Sequence, residues 1–295
     1  MRIFKTSQGR SSLFLAFKTF ARKDKKFVIT QAFTCVAVPE SIIASGYKPL
    51  WVDIELDTFS MSEESFNKIF DNYKNDIACI LIQHTYGLLP INYKKMISLG
   101  TEFDIPIIED RCHCNFLKDY SDLLGSESSK TLVYCYSFEN AKPIKLGRGG
   151  ILLTNNANKQ ELKILDFNYK YFKSQNPLKS LLHLIIAINY VLFSSSPFYW
   201  PLLTFYRLLA KNGILPSNFK SNLNNMDLNK MGIFQSYIIS CLIYFIKVSK
   251  KNIGNSIAYK LIIKLSNYFL KRNAKYPIYV NNKKNVINYC KKKLI

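Results

Sequence analysis

The sequence predicts an α/β domain with a mainly parallel sheet, followed by a helical and strongly basic region. Three observations carry that reading. Short apolar runs alternate with helix-length amphipathic segments over roughly the first half of the chain, the pattern of a sheet whose strands are joined by helical crossovers. One run, residues 78–83, is continuously Ile, Leu and Cys, as in a strand covered on both faces. The charge also divides. Residues 1–150 hold 19 Lys and Arg against 17 Asp and Glu, and residues 151–295 hold 22 against 3. No Gly-, Pro- or Ser-rich linker separates the halves, so a soft boundary is placed near 156, giving regions 1–156 and 157–295.

Taken in order, residues 7–20 open with Ser7-Gln8-Gly9-Arg10-Ser11-Ser12 and continue apolar, a polar turn leading into a helix. Free N–H groups at such a start suit a phosphate, and an ordinary serine N-cap is the competing reading. Strands are expected at 27–30, 49–54, 78–83 and 106–109, with helices at 34–45, 62–73 and 92–103. Two further strands, 131–135 and 151–154, flank the stretch Tyr136-Ser137-Phe138-Glu139-Asn140-Ala141-Lys142 and the turn Gly147-Arg148-Gly149-Gly150. Beyond 156, helices are expected at 159–173, 181–193, 231–246 and 257–270. Residues 181–209 are apolar and aromatic but broken by Ser194-Ser195-Ser196-Pro197 and Pro201. The unbroken part falls short of the roughly 20 residues a bilayer requires, so a buried or interfacial hairpin is expected. Peripheral contact with an anionic membrane is the minority reading.

In parallel sheets sites lie past the carboxyl ends of the strands. His84, Asp110 and Ser137 all fall there. Lys142, five residues after Ser137, could hold a covalent cofactor as a Schiff base, with the serine hydroxyl on a phosphate. Cys112-His113-Cys114 is no metal site, because alternate neighbours cannot all face one ion and no second cluster completes a tetrahedron. The phosphate-loop and dinucleotide glycine patterns are missing from the sequence. Seven cysteines without framework spacing, several in strand-like runs, point to reduced thiols and a cytoplasmic setting. The N-terminus shows no signal-peptide pattern. The cationic second half suits an anionic partner, here a phosphorylated substrate or membrane surface rather than nucleic acid.

Together these residues resemble the DegT/StrS-type nucleotide-sugar aminotransferases, pyridoxal-phosphate enzymes of the aspartate-aminotransferase fold. The similarity runs in register from about Ser7 to Asn156. It covers Gly9-Arg10-Ser11, Phe33-Thr34-Cys35, Gly46-Tyr47-Lys48-Pro49, Val52-Asp53, His84-Thr85-Tyr86-Gly87, Glu109-Asp110 with His113, Ser137-Phe138 with Lys142, and Gly147 with Gly149-Gly150. It is fainter at Lys230-Met231 with Gln235 and at Tyr276-Pro277-Ile278. The resemblance implies region 1–156 as the cofactor-binding domain and 157–295 as part of a small domain. Lys142 would be the Schiff-base lysine, Asp110 the partner of the pyridinium nitrogen, and Ser137 a phosphate ligand. Gly9, Arg10 and Ser11 would form the phosphate turn, His113 would lie near the ring, and Phe33 would replace a stacking aromatic where Cys35 stands. His84, Tyr86 and Arg148 become substrate contacts.

Departures are Arg111 and Cys112 in place of small residues, and Arg148 in place of a common Glu. Against the family the chain starts late and stops early. The implied reaction moves an amino group, from glutamate in most relatives, to a keto-sugar nucleotide in glycan precursor synthesis, in a homodimer. Retention of lysine argues against the dehydratase relatives. Two alternatives stay open: a catalytically degenerate or regulatory relative, and a basic membrane-surface binding protein.

Overall fold

The computed structural model of the chain describes residues 1–123, 133–155, 157–193 and 226–252, with isolated positions 204, 205, 208 and 212 between them. The helix expected at 257–270, the breaks at 194–197 and 201, the similarity at 276–278 and residue 156 itself lie outside the described residues.

A seven-stranded sheet runs through these residues in the order β1-β7-β6-β5-β4-β2-β3. Its strands are β1 (Arg2–Thr6), β2 (Phe27–Gln31), β3 (Lys48–Val52), β4 (Ile77–Gln83), β5 (Ile107–Asp110), β6 (Val133–Ser137) and β7 (Gly150–Thr154). β3, β2, β4, β5 and β6 are parallel, whereas β7 runs antiparallel to both β6 and β1. All seven residues of β4 are buried, as the continuous apolar run requires of a central strand with helices on both faces.

Helices cover both faces. On one lie α1 (Gly9–Phe20), α2 (Ala37–Ala44) and α6 (Lys159–Lys170), packed with Val28, Cys79, Leu81, Ile108, Cys135 and Leu152. On the other, α3 (Glu63–Tyr73) and α4 (Tyr93–Glu102) cover the β2–β4–β5 part. There α5 (Phe116–Leu123) and α8 (Ile233–Asn252) cover β6 and β7. A further helix, α7 (Pro177–Phe193), is tied to α8 by the buried Ser180–Gln235 hydrogen bond of 2.6 Å. The residues after 156 therefore share the sheet's core.

Local chemistry explains the boundaries. α3 buries Phe66 and Phe70, four residues apart on one stripe, and places Glu63 and Glu64 at its positive end. α6 starts with a reciprocal capping box between Asn158 and Glu161. α5, which the sequence reading missed, starts under Asn115, whose side-chain oxygen accepts from the N–H groups of Leu117 and Lys118. β1 was also missed. α2 begins at Ala37 rather than 34, because Thr34 belongs to the turn after β2. The serine cap considered for α1 is not formed: its N-cap is Gln8, which makes no side-chain capping bond.

Residues 226–231 return across the start of the chain. Ser7 N–H donates to Asn229 O, Met231 N–H donates to Lys5 O, and Thr6 bridges to Lys230. This clasp lies against the first turn of α1.

Candidate functional site

The register of the parallel strands sets the site. Gln83 of β4, Asp110 of β5 and Cys135 of β6 are lateral neighbours, so their side chains share the α1 face, and Ser137 follows on that face. The first turn of α1 descends on the same strand ends. A Cβ at Gly9 would stand 2.8 Å from Ser137 Cβ and 3.1 Å from Cys112 Sγ, so only glycine permits this approach. Asp110, 8% exposed, accepts from the Cys112 N–H (3.1 Å) on one oxygen and from Gln83 Nε2 (3.3 Å) on the other. The Cys112 thiol reports the neighbourhood. Burial pushes its pKa well up, the Asp110 carboxylate pushes it further, and the Lys142 ammonium pulls it back. Gly9 thus meets Ser137 and the Cys112 sulfur at the carboxyl ends of β5 and β6, with Asp110 on the Cys112 N–H and Lys142 near enough to act on the thiol through its charge.

Lys142 sits on the loop that leaves β6, half-buried, its N–H bonded to Glu139 O at 2.9 Å. The loop ends where Gly147, at φ +76°, passes under α7. A Cβ there would lie 1.9 Å from His183 O, so backbone meets backbone. Arg148 does not point into open space: its guanidinium holds the Asp227 carboxylate at 2.7 Å.

Other expected residues are already engaged. Arg10 pairs with Glu40 of α2 at 2.8 Å. Ser11 Oγ donates to the backbone oxygen of Asp227 (2.7 Å), which also accepts from Ser7 Oγ (3.0 Å). Phe33, 45% exposed, packs at 5.5 Å against Phe59, and Phe59 meets the Tyr86 ring at 5.8 Å. Tyr86 lies nearly parallel to the His113 ring and donates its N–H to His113 Nδ1. Cys35 is exposed at the start of α2. An aromatic file, Phe33–Phe59–Tyr86–His113, therefore lines the mouth over β2 and β4. Phe59 and Tyr86 both hold positive φ, 53° and 55°, strained for non-glycine residues.

His84 faces the opposite side of the sheet. Its ring, 5% exposed, donates from Nε2 to Glu109 Oε2 at 2.7 Å. The fully buried Glu109 also accepts from Tyr93 OH (2.9 Å) and Arg111 Nε (2.7 Å). Arg111 reaches Asp119 at 3.3 Å and lies over the Tyr134 ring, while Tyr136 OH donates to Asp119. Burial works against the charge of Arg111, but Glu109, Tyr136 and Asp119 together outweigh it and raise its pKa. Burial raises the pKa of Asp119 against the pull of Arg111. The alternation Glu109-Asp110-Arg111 thus sends Asp110 to the α1 face and its neighbours into a structural network beneath. Cys112, His113 and Cys114 separate in the same way: toward Gly9, toward Tyr86 and into the α5 packing.

Two amides that sequence reasoning passed over organise the strand ends. Gln31 Nε2 lies within 2.9 Å of Phe33 O, Phe59 O and Thr85 Oγ1, its two hydrogens shared among the three acceptors, gathering three loops. Gln83 accepts from Thr30 Oγ1 and donates to Thr34 Oγ1 and Asp110. The only sequence signal for either was a polar residue closing an apolar strand.

This arrangement fits a phosphorylated pyridine aldehyde. The uncapped turn at Gly9 and the Ser137 hydroxyl suit a phosphate. The Asp110 carboxylate suits a ring N–H, and the Lys142 amine an aldehyde carbon.

Comparison with known proteins agrees. A sequence model described as the DegT/DnrJ/EryC1/StrS aminotransferase family matches residues 3–193. The chain is 26% identical over 186 residues to GDP-perosamine synthase of Escherichia coli, covering 62% of this chain and 48% of that protein. It is 24% identical over 148 residues to Protein MT3510 of Mycobacterium tuberculosis, covering 50% and 34%. The chain thus spans less than half the length of these curated relatives. Among solved structures, NtdA from Bacillus subtilis aligns with a TM-score of 0.49 at 20% identity, over 59% of this chain and 37% of that one.

Proposed function

The chain belongs to the DegT/DnrJ/EryC1/StrS aminotransferase family, and from that premise we propose that it moves an amino group from an amino acid, glutamate first, to a keto-sugar nucleotide. The cofactor is pyridoxal 5'-phosphate. The single observation that carries the proposal is the close approach of Gly9 to Ser137 and Cys112 beside Asp110, at the strand end from which the Lys142 loop leaves. The relative named GDP-perosamine synthase supports a nucleotide-sugar substrate, and the excess of 22 cations over 3 acids after residue 150 supports attraction of a nucleotide diphosphate.

In this reading Lys142 Nζ holds the aldehyde carbon and Asp110 faces the ring nitrogen. Ser137 Oγ and the first N–H groups of α1 take the phosphate, with His113 near the ring. The bound cofactor supplies an electron sink for a carbanion beside the transferred amine. With its amine free, Lys142 Nζ is the base placed to take and return a proton at the substrate carbon. Phe33 and Tyr86 form the wall of the mouth. Arg10, Ser11 and Arg148 act by fixing the first turn and the glycine loop, through Glu40 and Asp227, rather than by touching substrate. Cys35, exposed at the rim, is the weakest of the proposed contacts, and His84 acts only by holding Glu109. A homodimer in the cytoplasm, with peripheral contact at an anionic membrane, completes the proposal. No helix of the described residues is long and apolar enough to cross a membrane.

A second reading, a non-catalytic relative, is favoured by one feature: Arg10, Ser11 and Arg148 all have protein partners. Borohydride reduction of the protein incubated with cofactor, followed by peptide mapping, separates the two. An adduct on the Lys142 peptide, lost in Lys142→Ala, supports the aminotransferase. No adduct in the unaltered chain leaves the non-catalytic relative.

A further inference from the structure

The amide of Gln83 stands between the end of β2, the turn that follows it and the carboxylate of Asp110. Its orientation is fixed, because a carboxylate only accepts and Asp110 must therefore face the NH2 end. Gln83 Oε1 then accepts from Thr30 Oγ1 at 3.2 Å, and Nε2 spends its two hydrogens on Thr34 Oγ1 (2.7 Å) and Asp110 Oδ2 (3.3 Å). All four side chains arise at the carboxyl ends of neighbouring strands, and Gln83 and Asp110 are direct lateral partners in the β4–β5 register. The Cys112 N–H holds the other oxygen of Asp110. The carboxylate is thus gripped from both sides, with one grip supplied by backbone and one by a side chain.

We propose that Gln83 is a positioning residue for the cofactor. Its amide, keyed by Thr30 and Thr34, sets the rotation of the Asp110 carboxylate so that a lone pair meets the ring nitrogen. This rests on the reading of Asp110 given under Proposed function. A side chain that only filled the strand end would need no donor toward Asp110. Gln83 directs one hydrogen to the carboxylate and fastens the other to Thr34, which the turn before α2 brings back over the sheet. The grip also couples the turn after β2 to the acid on β5, so displacement of Thr34 is transmitted to Asp110 through one rigid amide.

The test compares binding of pyridoxal 5'-phosphate with binding of its 1-deaza analogue, in which carbon replaces the ring nitrogen. Absorbance titrations are run on the full chain and on Gln83→Leu, with thermal melts recorded in parallel. Loss of one bond to a charged group predicts roughly tenfold weaker binding of pyridoxal phosphate. The analogue, which makes no use of Asp110, retains its affinity. Thr34→Val, which leaves the amide in place but loosens one hydrogen, weakens pyridoxal phosphate less than Gln83→Leu and again spares the analogue. Equal loss for both ligands, or loss for neither, overturns the positioning role. Binding of neither ligand by the unaltered chain overturns the cofactor reading itself, a result distinct from the first two.

Discussion

The approach of α1 to the end of β6 gives the sharpest prediction. In Gly9→Ala the new Cβ starts 2.8 Å from Ser137 Cβ and 3.1 Å from Cys112 Sγ. Carbon atoms pack at about 3.5–4.0 Å, so the first turn of α1 must retreat by about 1 Å. Such overpacking costs about 1–3 kcal/mol. Alanine regains up to about 1 kcal/mol of helix propensity, less at a first turn, leaving a net loss of about 0–2 kcal/mol. The cofactor is affected more, since a shift of about 1 Å in a positioning group costs up to about a hundredfold. Urea denaturation and an absorbance titration with pyridoxal phosphate read the two effects separately. Stability is expected to fall by no more than about 2 kcal/mol, and affinity by about tenfold or more. In Gly9→Ala with Ser137→Gly, removal of the opposing Cβ returns the stability but not the affinity, because the serine hydroxyl is gone. A Gly9→Ala protein that binds cofactor as the unaltered chain does would refute the cradle.

Three other outcomes follow from the packing. Glu109→Ala leaves Arg111 buried without its principal anion and is expected to cost about 3–5 kcal/mol in urea unfolding. His183 is held neutral, its pKa lowered to about 4 by burial first and then by Arg148. Its folded value lies below the unfolded one, so stability is full above about 6.5 and declines as pH falls toward 4, by up to about 3 kcal/mol. Urea midpoints across that window, shallower in His183→Gln, check the sign. By contrast, Arg2 and Asp166 form an exposed pair at 2.8 Å, and Arg2→Ala is expected to shift stability by less than about 1 kcal/mol.

The central sheet was legible because its strands advertise burial: 78–82 and 151–153 are apolar throughout. The Ser137–Lys142 spacing and Asp110 were legible because each follows such a strand. β1 was missed because only Ile3 and Phe4 of Arg2-Ile3-Phe4-Lys5-Thr6 are apolar, so the segment shows neither a buried run nor an alternating pattern. α5 was missed because Phe116–Leu123 is short and carries Lys118, Asp119 and Asp122 among its apolar residues. What the sequence hid most was sidedness. Glu109, Asp110 and Arg111 are consecutive, and only strand alternation sends Asp110, the proposed cofactor contact, to the α1 face and its neighbours into a buried ion network. The engagements of Ser11 with residue 227 and of Arg148 with Asp227 span 216 and 79 positions, beyond any local pattern.

The return of 226–231 to the chain's own beginning has a bearing on biogenesis. Every residue assigned to the cofactor has left the ribosome well before Asp227 is translated, yet Ser7 and Ser11 must wait for that carbonyl oxygen. A nascent polypeptide at that stage carries every proposed cofactor residue, while Ser7 and Ser11 still lack the acceptor that Asp227 supplies.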